Sequence, residues 1–152
     1  MRLKIFISLL VLMTALLGCN KTTDNPKELT LSFFKEAWMK HDFNEAKSLT
    51  ENISISEIKN ETQKVPEGYW KQFNKNIEVY YRDISQEGKE DVKSYILYAV
   101  GFRTFINLEL KKASSGWVIN DIQSKLPNDS KYTIEQMKKY DWKGTEIQIK
   151  TN

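Results

Sequence analysis

The spacing of apolar residues changes once along the chain, near residue 77. Before that point apolar residues recur every three or four positions, which is typical of an amphipathic helix. The first such stripe is made of large side chains and one alanine: Leu31, Phe33, Phe34, Ala37 and Trp38. After that point apolar and polar residues alternate, as in the run from Ile77 to Arg82, which is typical of a half-buried strand. The pattern therefore predicts helices first and strands afterwards.

Three helix starts are predicted from capping residues. Each N-cap candidate is followed three positions later by a glutamate: Asn25 with Glu28, Asp42 with Glu45, and Ser54 with Glu57. The cap oxygen and the early carboxylate satisfy free N–H groups and oppose the helix dipole. The first helix should end near Lys40 and His41, where the second cap begins.

Four strands are predicted at about 77–82, 92–100, 102–111 and 117–122, with turn glycines at Gly88 and Gly116. Their connections are too short for parallel crossovers, so the strands should form an antiparallel meander. Beyond Ile122 the pattern predicts one more helix around Met137 and an edge strand with Ile147 and Ile149. The predicted fold class is α+β, with N-terminal helices packed against a curved antiparallel sheet.

The first 18 residues have the parts of a signal peptide. Arg2 and Lys4 are basic, and the apolar run from Ile5 to Leu17 is too short to cross a bilayer as a helix. The run ends in Leu16-Leu17-Gly18-Cys19, which resembles the lipobox of bacterial lipoproteins. This resemblance implies cleavage between Gly18 and Cys19 and attachment of fatty acyl chains such as palmitate to Cys19. The alternative is an ordinary secretory signal that happens to contain a cysteine.

These features divide the chain into four parts. Residues 1–18 are the predicted signal peptide, 19–25 a lipidated tether, 26–123 the folded domain, and 124–152 an extension packed on that domain. The predicted location is the cell envelope, with the membrane contacted through the lipid. Asn20 stands where an aspartate would resemble an inner-membrane retention signal, so we expect the outer membrane in a host with two membranes. In a host with one membrane we expect the outer face of the plasma membrane.

Composition excludes several kinds of function. The chain has 23 basic and 20 acidic residues, and removal of the signal peptide with Arg2 and Lys4 would leave 21 basic residues. The mature chain would be close to neutral, whereas binding to nucleic acid needs clustered positive charge, so no nucleic-acid partner is predicted. Cys19 is the only cysteine, which excludes an internal disulfide and a thiolate metal cluster. The only histidine, His41, is expected in an exposed turn. No metal, cofactor or catalytic residue is predicted.

One acidic stretch has part of the composition of a calcium-binding loop. It begins at Asp83 and includes Glu87, Glu90 and Asp91. The twelfth position counted from Asp83 is Ser94, where an EF-hand needs a glutamate. A solvated turn is therefore the prediction for this stretch.

Three stretches together resemble a known superfamily. They are the helix, turn and helix from Phe33 to Leu49, the paired strands from Tyr95 to Leu110, and the hairpin from Leu110 to Ile122. This arrangement is similar to the nuclear transport factor two-like (cystatin-like) superfamily, and within it to small bacterial lipoproteins of the lumazine-binding-like group. The resemblance implies a cystatin-like roll whose sheet curls into a cone that can hold a small molecule. Some members of the superfamily are isomerases, dehydratases or cyclases, and others bind or dimerise.

Five aromatic residues are candidates for contact with a ligand in that cone: Trp38, Tyr69, Trp70, Phe73 and Tyr95. The alternative is that they complete the core. We expect a lipid-anchored, non-catalytic binding domain for a small apolar ligand, for an envelope protein, or for a second copy in a homodimer. The alternatives are an exclusion or immunity lipoprotein with an exposed apolar patch, and an isomerase- or cyclase-like enzyme with a buried carboxylate or Tyr/Asp pair.

Overall fold

The computed structural model describes residues 23–65, 76–102, 104–125, 137 and 139–148. Within them the protein is α+β, with helices followed by a five-stranded antiparallel sheet. The helices are α1 (Pro26–Phe34), a π-helical segment (Lys35–Lys40), α2 (Phe43–Ser48) and α3 (Ile55–Gln63). The strands are β1 (Asn76–Asp83), β2 (Val92–Ala99), β3 (Thr104–Ala113), β4 (Gly116–Lys125) and β5 (Lys143–Gln148). The predictions for Gly18, Cys19, Tyr69, Trp70 and Phe73 lie outside the described residues.

The three predicted helix starts are confirmed. The Asn25 side chain accepts hydrogen bonds from the N–H groups of Lys27 and Glu28, at 3.1 and 3.3 Å. Asp42 caps α2 in the same way, and Ser54 and Glu57 form a reciprocal capping box at α3. Each cap satisfies N–H groups that the first helical turn leaves free.

The first helical stretch ends at His41, as predicted, but its last six residues are π-helical, which the spacing of the apolar residues did not predict. His41 caps the end of the segment in a left-handed conformation with φ of 55°, and its N–H donates to the carbonyl of Glu36. The π-helical segment places Ala37 and Trp38 in the core. No helix among the described residues is long and apolar enough to cross a bilayer.

The sheet has the order β4-β3-β2-β1-β5, and every neighbouring pair is antiparallel. The four predicted strands and the predicted C-terminal edge strand are confirmed, with β5 paired to β1. Met137 and Lys139 are helical, in agreement with the predicted C-terminal helix. Tyr140, which was predicted to belong to the same helix, lies in a turn. Ile134 of that predicted helix and Ile149 of the edge strand lie outside the described residues.

The sheet is buried unequally on its two faces. The inner face packs against the helices in one core, whose largest fully buried side chains include Phe33, Phe34, Trp38, Phe102, Leu97, Ile106 and Leu108. The outer face carries a small second cluster, in which Tyr80, Tyr98 and Met137 are buried and Phe105 and Trp142 pack against them. The C-terminal residues thus cover part of the outer face.

The β4 edge is bonded to other parts of the same chain. The N–H of Trp117 donates to the carbonyl of Thr23 at 2.9 Å, and the N–H of Ile119 donates to the carbonyl of Leu49 at 3.0 Å. The carboxylate of Glu61 on α3 accepts from the N–H of Ser124 at 2.6 Å. These bonds tie the helical half to the sheet and occupy groups that an unprotected edge would expose.

Candidate functional site

Trp38, predicted as a ligand contact on the floor of the cone, lies inside the core with no exposed surface. Its ring stacks on Phe34 and meets the edge of Phe33, with centroid distances of 6.0 Å in both cases. Its indole Nε1 is buried and has no hydrogen-bond partner. None of the three cavities described below has Trp38 among its described lining residues. In the described part of the chain its contacts are therefore those of a packing residue.

Tyr95, the other described candidate, lines a cavity of about 380 Å³ at the end of β1 and β2. We call this cavity the rim pocket. It is lined by two tyrosines and five charged residues: Lys27, Tyr81, Arg82, Asp83, Tyr95, Asp141 and Lys143. Its volume lies within the range of about 300–1,000 Å³ that is usual for small-molecule sites. Trp38 and Tyr95, predicted to share one site, do not share this one.

Strand register brings the rim-pocket residues together. Asp83 is the cross-strand partner of Tyr95 in the pair β1–β2, and Tyr81 is the partner of Lys143 in the pair β1–β5. Tyr81 and Asp83 are two positions apart, so they lie on one face of β1. Lys27 reaches the same place from the first turn of α1, where its ammonium lies 5.2 Å from the centre of the Tyr81 ring.

Tyr95 and Asp83 interact as cross-strand neighbours, and their protonation states are fixed at neutral pH. Burial raises the pKa of Tyr95 to about 12, and the negative charge of Asp83 adds to that shift. Burial acts to raise the pKa of Asp83, but hydrogen bonds from Ser85, and Lys93 and Tyr95 nearby, hold it below its ordinary value. The tyrosine therefore remains a hydrogen-bond donor and the aspartate remains a charged acceptor.

The rim pocket contains opposite charges that do not pair with each other. Neither Lys27 nor Lys143 forms an ion pair within 4.0 Å with a carboxylate of the described residues, and Asp141 has no cationic partner there either. Lys27, Asp83 and Lys143 belong to different elements, and Asp141 lies in the turn before β5 with a φ of 61°. The pocket thus presents separated positive and negative groups across one cavity.

A second cavity, the outer pocket, lies on the other face of the sheet and has a volume of about 530 Å³. It is lined by two glutamates, two aromatic residues and two small residues of β5: Glu78, Glu146, Tyr80, Trp142, Gly144 and Thr145. Tyr80 donates a hydrogen bond to Glu78, which raises the pKa of Tyr80 to about 12. Glu146 lies directly opposite Glu78 in the sheet. The described lining of the outer pocket therefore includes two acidic side chains and no basic one.

A third cavity, of about 220 Å³, lies between α3 and β4. Its polar side chains bond to one another: Asn52 donates to Asn120 at 3.4 Å, and Asn120 donates to Glu109 at 3.3 Å. The carboxylate of Glu61, also in its lining, accepts hydrogen bonds from the ammonium of Lys64 and the hydroxyl of Ser124. Because these groups are satisfied within the protein, the third cavity offers few free groups to a ligand.

The remaining candidate groups show no arrangement for metal chemistry. No group of three histidine, cysteine or acidic side chains within the described residues is placed to hold a metal ion. The residues of the acidic stretch after β1 are exposed, and Gly88 there has a φ of 80° as its turn requires. His41 is exposed, and partial burial of its ring lowers its pKa.

Sequence reasoning missed most of the rim pocket. Asp83 is predicted to lie in a solvated turn, but in the structure it is the last residue of β1 and the cross-strand partner of Tyr95. No sequence signal sets the register across the loop between β1 and β2, so this pairing was not predicted. Lys27 and Lys143 come from elements far apart in the sequence, and only the packing of α1 and β5 against β1 brings them together.

No protein-family model matches the chain, and comparisons with curated proteins and with solved structures also found no match.

Proposed function

We propose that this chain is a lipid-anchored cell-envelope protein whose single domain, a cystatin-like roll, binds a small ligand in the rim pocket without chemical conversion. The observation that carries the proposal is the rim pocket itself. It joins Tyr95 to oppositely charged groups from three parts of the chain in one cavity of about 380 Å³.

The protonation states in the rim pocket support binding over catalysis. A general acid or base works best when its pKa lies near the operating pH. The pKa of Tyr95 is raised to about 12 and that of Asp83 is lowered, so both shifts move away from neutrality. A Tyr/Asp pair of the kind that the enzyme alternative requires is present, but at neutral pH its tyrosine stays protonated and its aspartate stays ionised.

The described surface favours a small polar ligand over an apolar ligand or a protein docked on an apolar patch. Five of the seven residues that line the rim pocket are charged. Only two large apolar side chains are exposed among the described residues, Ile84 and Tyr140. An exclusion or immunity lipoprotein would need a broad apolar patch, and two such side chains are too few for one.

The position of the proposed anchor agrees with a ligand site near the membrane. Cys19 precedes the start of α1 by seven residues, which span at most about 25 Å when extended. Lys27 is the second residue of α1 and lines the rim pocket. The tether therefore joins the proposed lipid to the same end of α1 that contributes to the pocket.

The anchor is tested by metabolic labelling with an alkyne analogue of palmitate in a bacterial host. We expect the wild-type chain to carry the label and to sediment with membranes, and Cys19→Ser to carry none. A matched Ser8→Cys variant in the Cys19→Ser background keeps a cysteine in the chain away from the lipobox, and it should also stay unlabelled. Equal labelling of wild type and Cys19→Ser would contradict the anchor.

Binding is tested by native mass spectrometry of the full-length lipoprotein extracted from its membrane in mild detergent. We expect a co-purifying small molecule whose occupancy falls at least fivefold in Lys143→Gln. Lys112→Gln, which removes an exposed lysine from β3, serves as the matched control and should keep the molecule. A protein without adduct, or equal occupancy in both variants, would contradict binding in the rim pocket.

A further inference from the structure

The charges of the rim pocket point to the chemistry of its ligand. Lysine side chains are long, flexible point charges, so an unpaired lysine at a cavity wall is free to contact an anion that enters the cavity. Here Lys27 and Lys143 line the same cavity as Asp141 and Asp83, yet no pair within 4.0 Å forms among them. A ligand that carries both signs of charge can satisfy both sets of groups at once.

We propose that the rim pocket binds a zwitterionic phosphate ester, in which a phosphate diester and an ammonium group are joined by a short linker. The proposal rests on the proposed function and names the ligand class of the same pocket. Lys27 and Lys143 contact the two non-bridging phosphate oxygens, which share the single negative charge of the diester. Asp141 and the ionised Asp83 contact the ammonium group.

The described contacts hold the side chains of Lys27 and Asp83 in place before a ligand arrives. The Tyr81 ring lies under the Lys27 ammonium and keeps it at the pocket wall. Asp83 is fixed by Ser85, whose N–H donates at 2.8 Å, and by the Tyr95 hydroxyl. Lys143 is anchored at the start of β5, opposite Tyr81. A site with fixed groups loses less conformational entropy on binding than one that must be ordered.

This ligand chemistry has two sources in a cell envelope. One is the headgroup of a zwitterionic phospholipid, which the proposed lipid anchor brings within reach of the pocket. The other is a free glycerophosphoester released from such a lipid. Both present the same phosphate and ammonium groups to Lys27, Lys143 and Asp141.

The first experiment measures the affinity of the full-length lipoprotein in nonionic detergent for three soluble probes by isothermal titration calorimetry. The probes are glycerophosphoethanolamine, inorganic phosphate and ethanolamine. We expect glycerophosphoethanolamine to bind at least tenfold more tightly than either of the other two. Lys143→Gln and Asp141→Asn should each weaken its binding at least fivefold, and the control Lys112→Gln should not. Asparagine is suited to position 141 because it tolerates the left-handed conformation of Asp141.

Two results would overturn the proposal. Equal affinity for inorganic phosphate and glycerophosphoethanolamine would define a simple anion site, and absence of saturable binding by the zwitterionic probe would exclude the ligand class. Far-ultraviolet circular dichroism of each variant shows that it is folded, so a lost affinity is assigned to the pocket.

A second experiment distinguishes the two sources by acylation of Lys143 with a water-soluble amine reagent, read by peptide mass spectrometry. The lipoprotein is reconstituted in phosphatidylglycerol vesicles with or without phosphatidylethanolamine. Protection by phosphatidylethanolamine in the vesicle identifies the headgroup as the ligand. Protection only by added glycerophosphoethanolamine identifies the free ester, and protection by neither overturns the proposal.

Failure of this inference differs from failure of the proposed function. If a co-purifying molecule is lost in Lys143→Gln while glycerophosphoethanolamine does not bind, the rim pocket is a binding site for another class of ligand. If no molecule co-purifies and no probe binds, both proposals fail.

Discussion

Two tyrosine–carboxylate pairs lie on opposite faces of the same sheet, and they differ in what surrounds them. Tyr95 is the cross-strand neighbour of Asp83 on the inner face, and Tyr80 donates a hydrogen bond to Glu78 on the outer face. Both tyrosines have a pKa raised to about 12. The first pair shares its cavity with lysines, and the second shares its cavity with another glutamate.

The comparison shows that a shifted pKa alone does not identify a binding site. At Tyr80 the hydrogen bond to Glu78 is the largest cause of the shift, and the ring packs over Gly144 and against Met137. These are the contacts of a residue that holds β5 and the C-terminal residues on the sheet. At Tyr95 burial is the largest cause, and unpaired charges of both signs lie nearby. The surrounding charges distinguish the two pairs.

The largest loss of stability is expected in the core that packs against the inner face of the sheet. Trp38→Ala removes a fully buried ring that stacks on Phe34, so we expect the free energy of unfolding to fall by about 3–5 kcal/mol. Trp38→Phe should lower the free energy of unfolding by less than Trp38→Ala, and it should leave ligand occupancy unchanged in the folded protein. Chemical denaturation and native mass spectrometry measure the two quantities. Loss of the ligand in a folded Trp38→Phe would show that Trp38 contacts it.

A smaller effect is expected where Tyr80 covers Gly144. A Cβ at position 144 would lie 3.1 Å from the Tyr80 ring, so Gly144→Val must displace that ring. We expect a loss of about 1–3 kcal/mol in the free energy of unfolding, with binding in the rim pocket retained. Thr145→Val, an almost isosteric change at the next residue, is the control and should cost less. If Gly144→Val is as stable as wild type, the Tyr80 ring does not hold β5 on the sheet by packing over Gly144.

The two pairs should also be visible in an alkaline titration followed by absorbance at 295 nm. Each folded-state pKa lies near 12, above the ordinary value of 10, so each pair stabilises the fold below pH 10. That contribution is lost as the pH rises towards 12. Tyr80→Phe and Tyr95→Phe should each remove one tyrosine that ionises near pH 12. If a variant instead loses the absorbance of a tyrosine that ionises near pH 10, the substituted tyrosine does not have the raised pKa assigned to it.

The smallest effect is expected at acid pH. The pKa of Asp83 is lowered in the folded protein, so its charge stabilises the fold above the unfolded pKa of about 4. This contribution is lost as the pH falls below 4. The difference in stability between wild type and Asp83→Asn should therefore shrink between pH 6 and pH 2 in urea denaturation. Asp121→Asn, an exposed change on β4, is the control, and an equal pH dependence in both variants would contradict the assignment.

Local sequence signals predicted most of the described fold. The caps at Asn25, Asp42 and Ser54 act within one helical turn, so three residues were enough to find each helix start. Strand alternation and the turn glycine Gly116 likewise act over short distances. The π-helical segment was not predicted, because its apolar residues keep a spacing that is also compatible with an α-helix.

The candidate site was much less predictable than the fold. Tyr95 was selected as an aromatic residue on a strand, and its bond to Asp83 depends on a register that the loop between β1 and β2 sets. Lys143 joins the pocket only because β5 returns to pair with β1 across more than 60 residues. Trp38 was predicted from its aromatic character, which does not separate the floor of a cavity from a filled core.

The central claim is that the Tyr95 pair belongs to a ligand site and the Tyr80 pair does not. Tyr95→Phe and Tyr80→Phe each remove one tyrosine hydroxyl that interacts with a carboxylate, so they form a matched pair of variants. The most direct test is native mass spectrometry of both full-length variants, with the occupancy of the co-purifying molecule compared with wild type. We expect occupancy to fall at least fivefold in Tyr95→Phe and to change less than twofold in Tyr80→Phe. Equal occupancy in the two variants, or a loss confined to Tyr80→Phe, would contradict the claim.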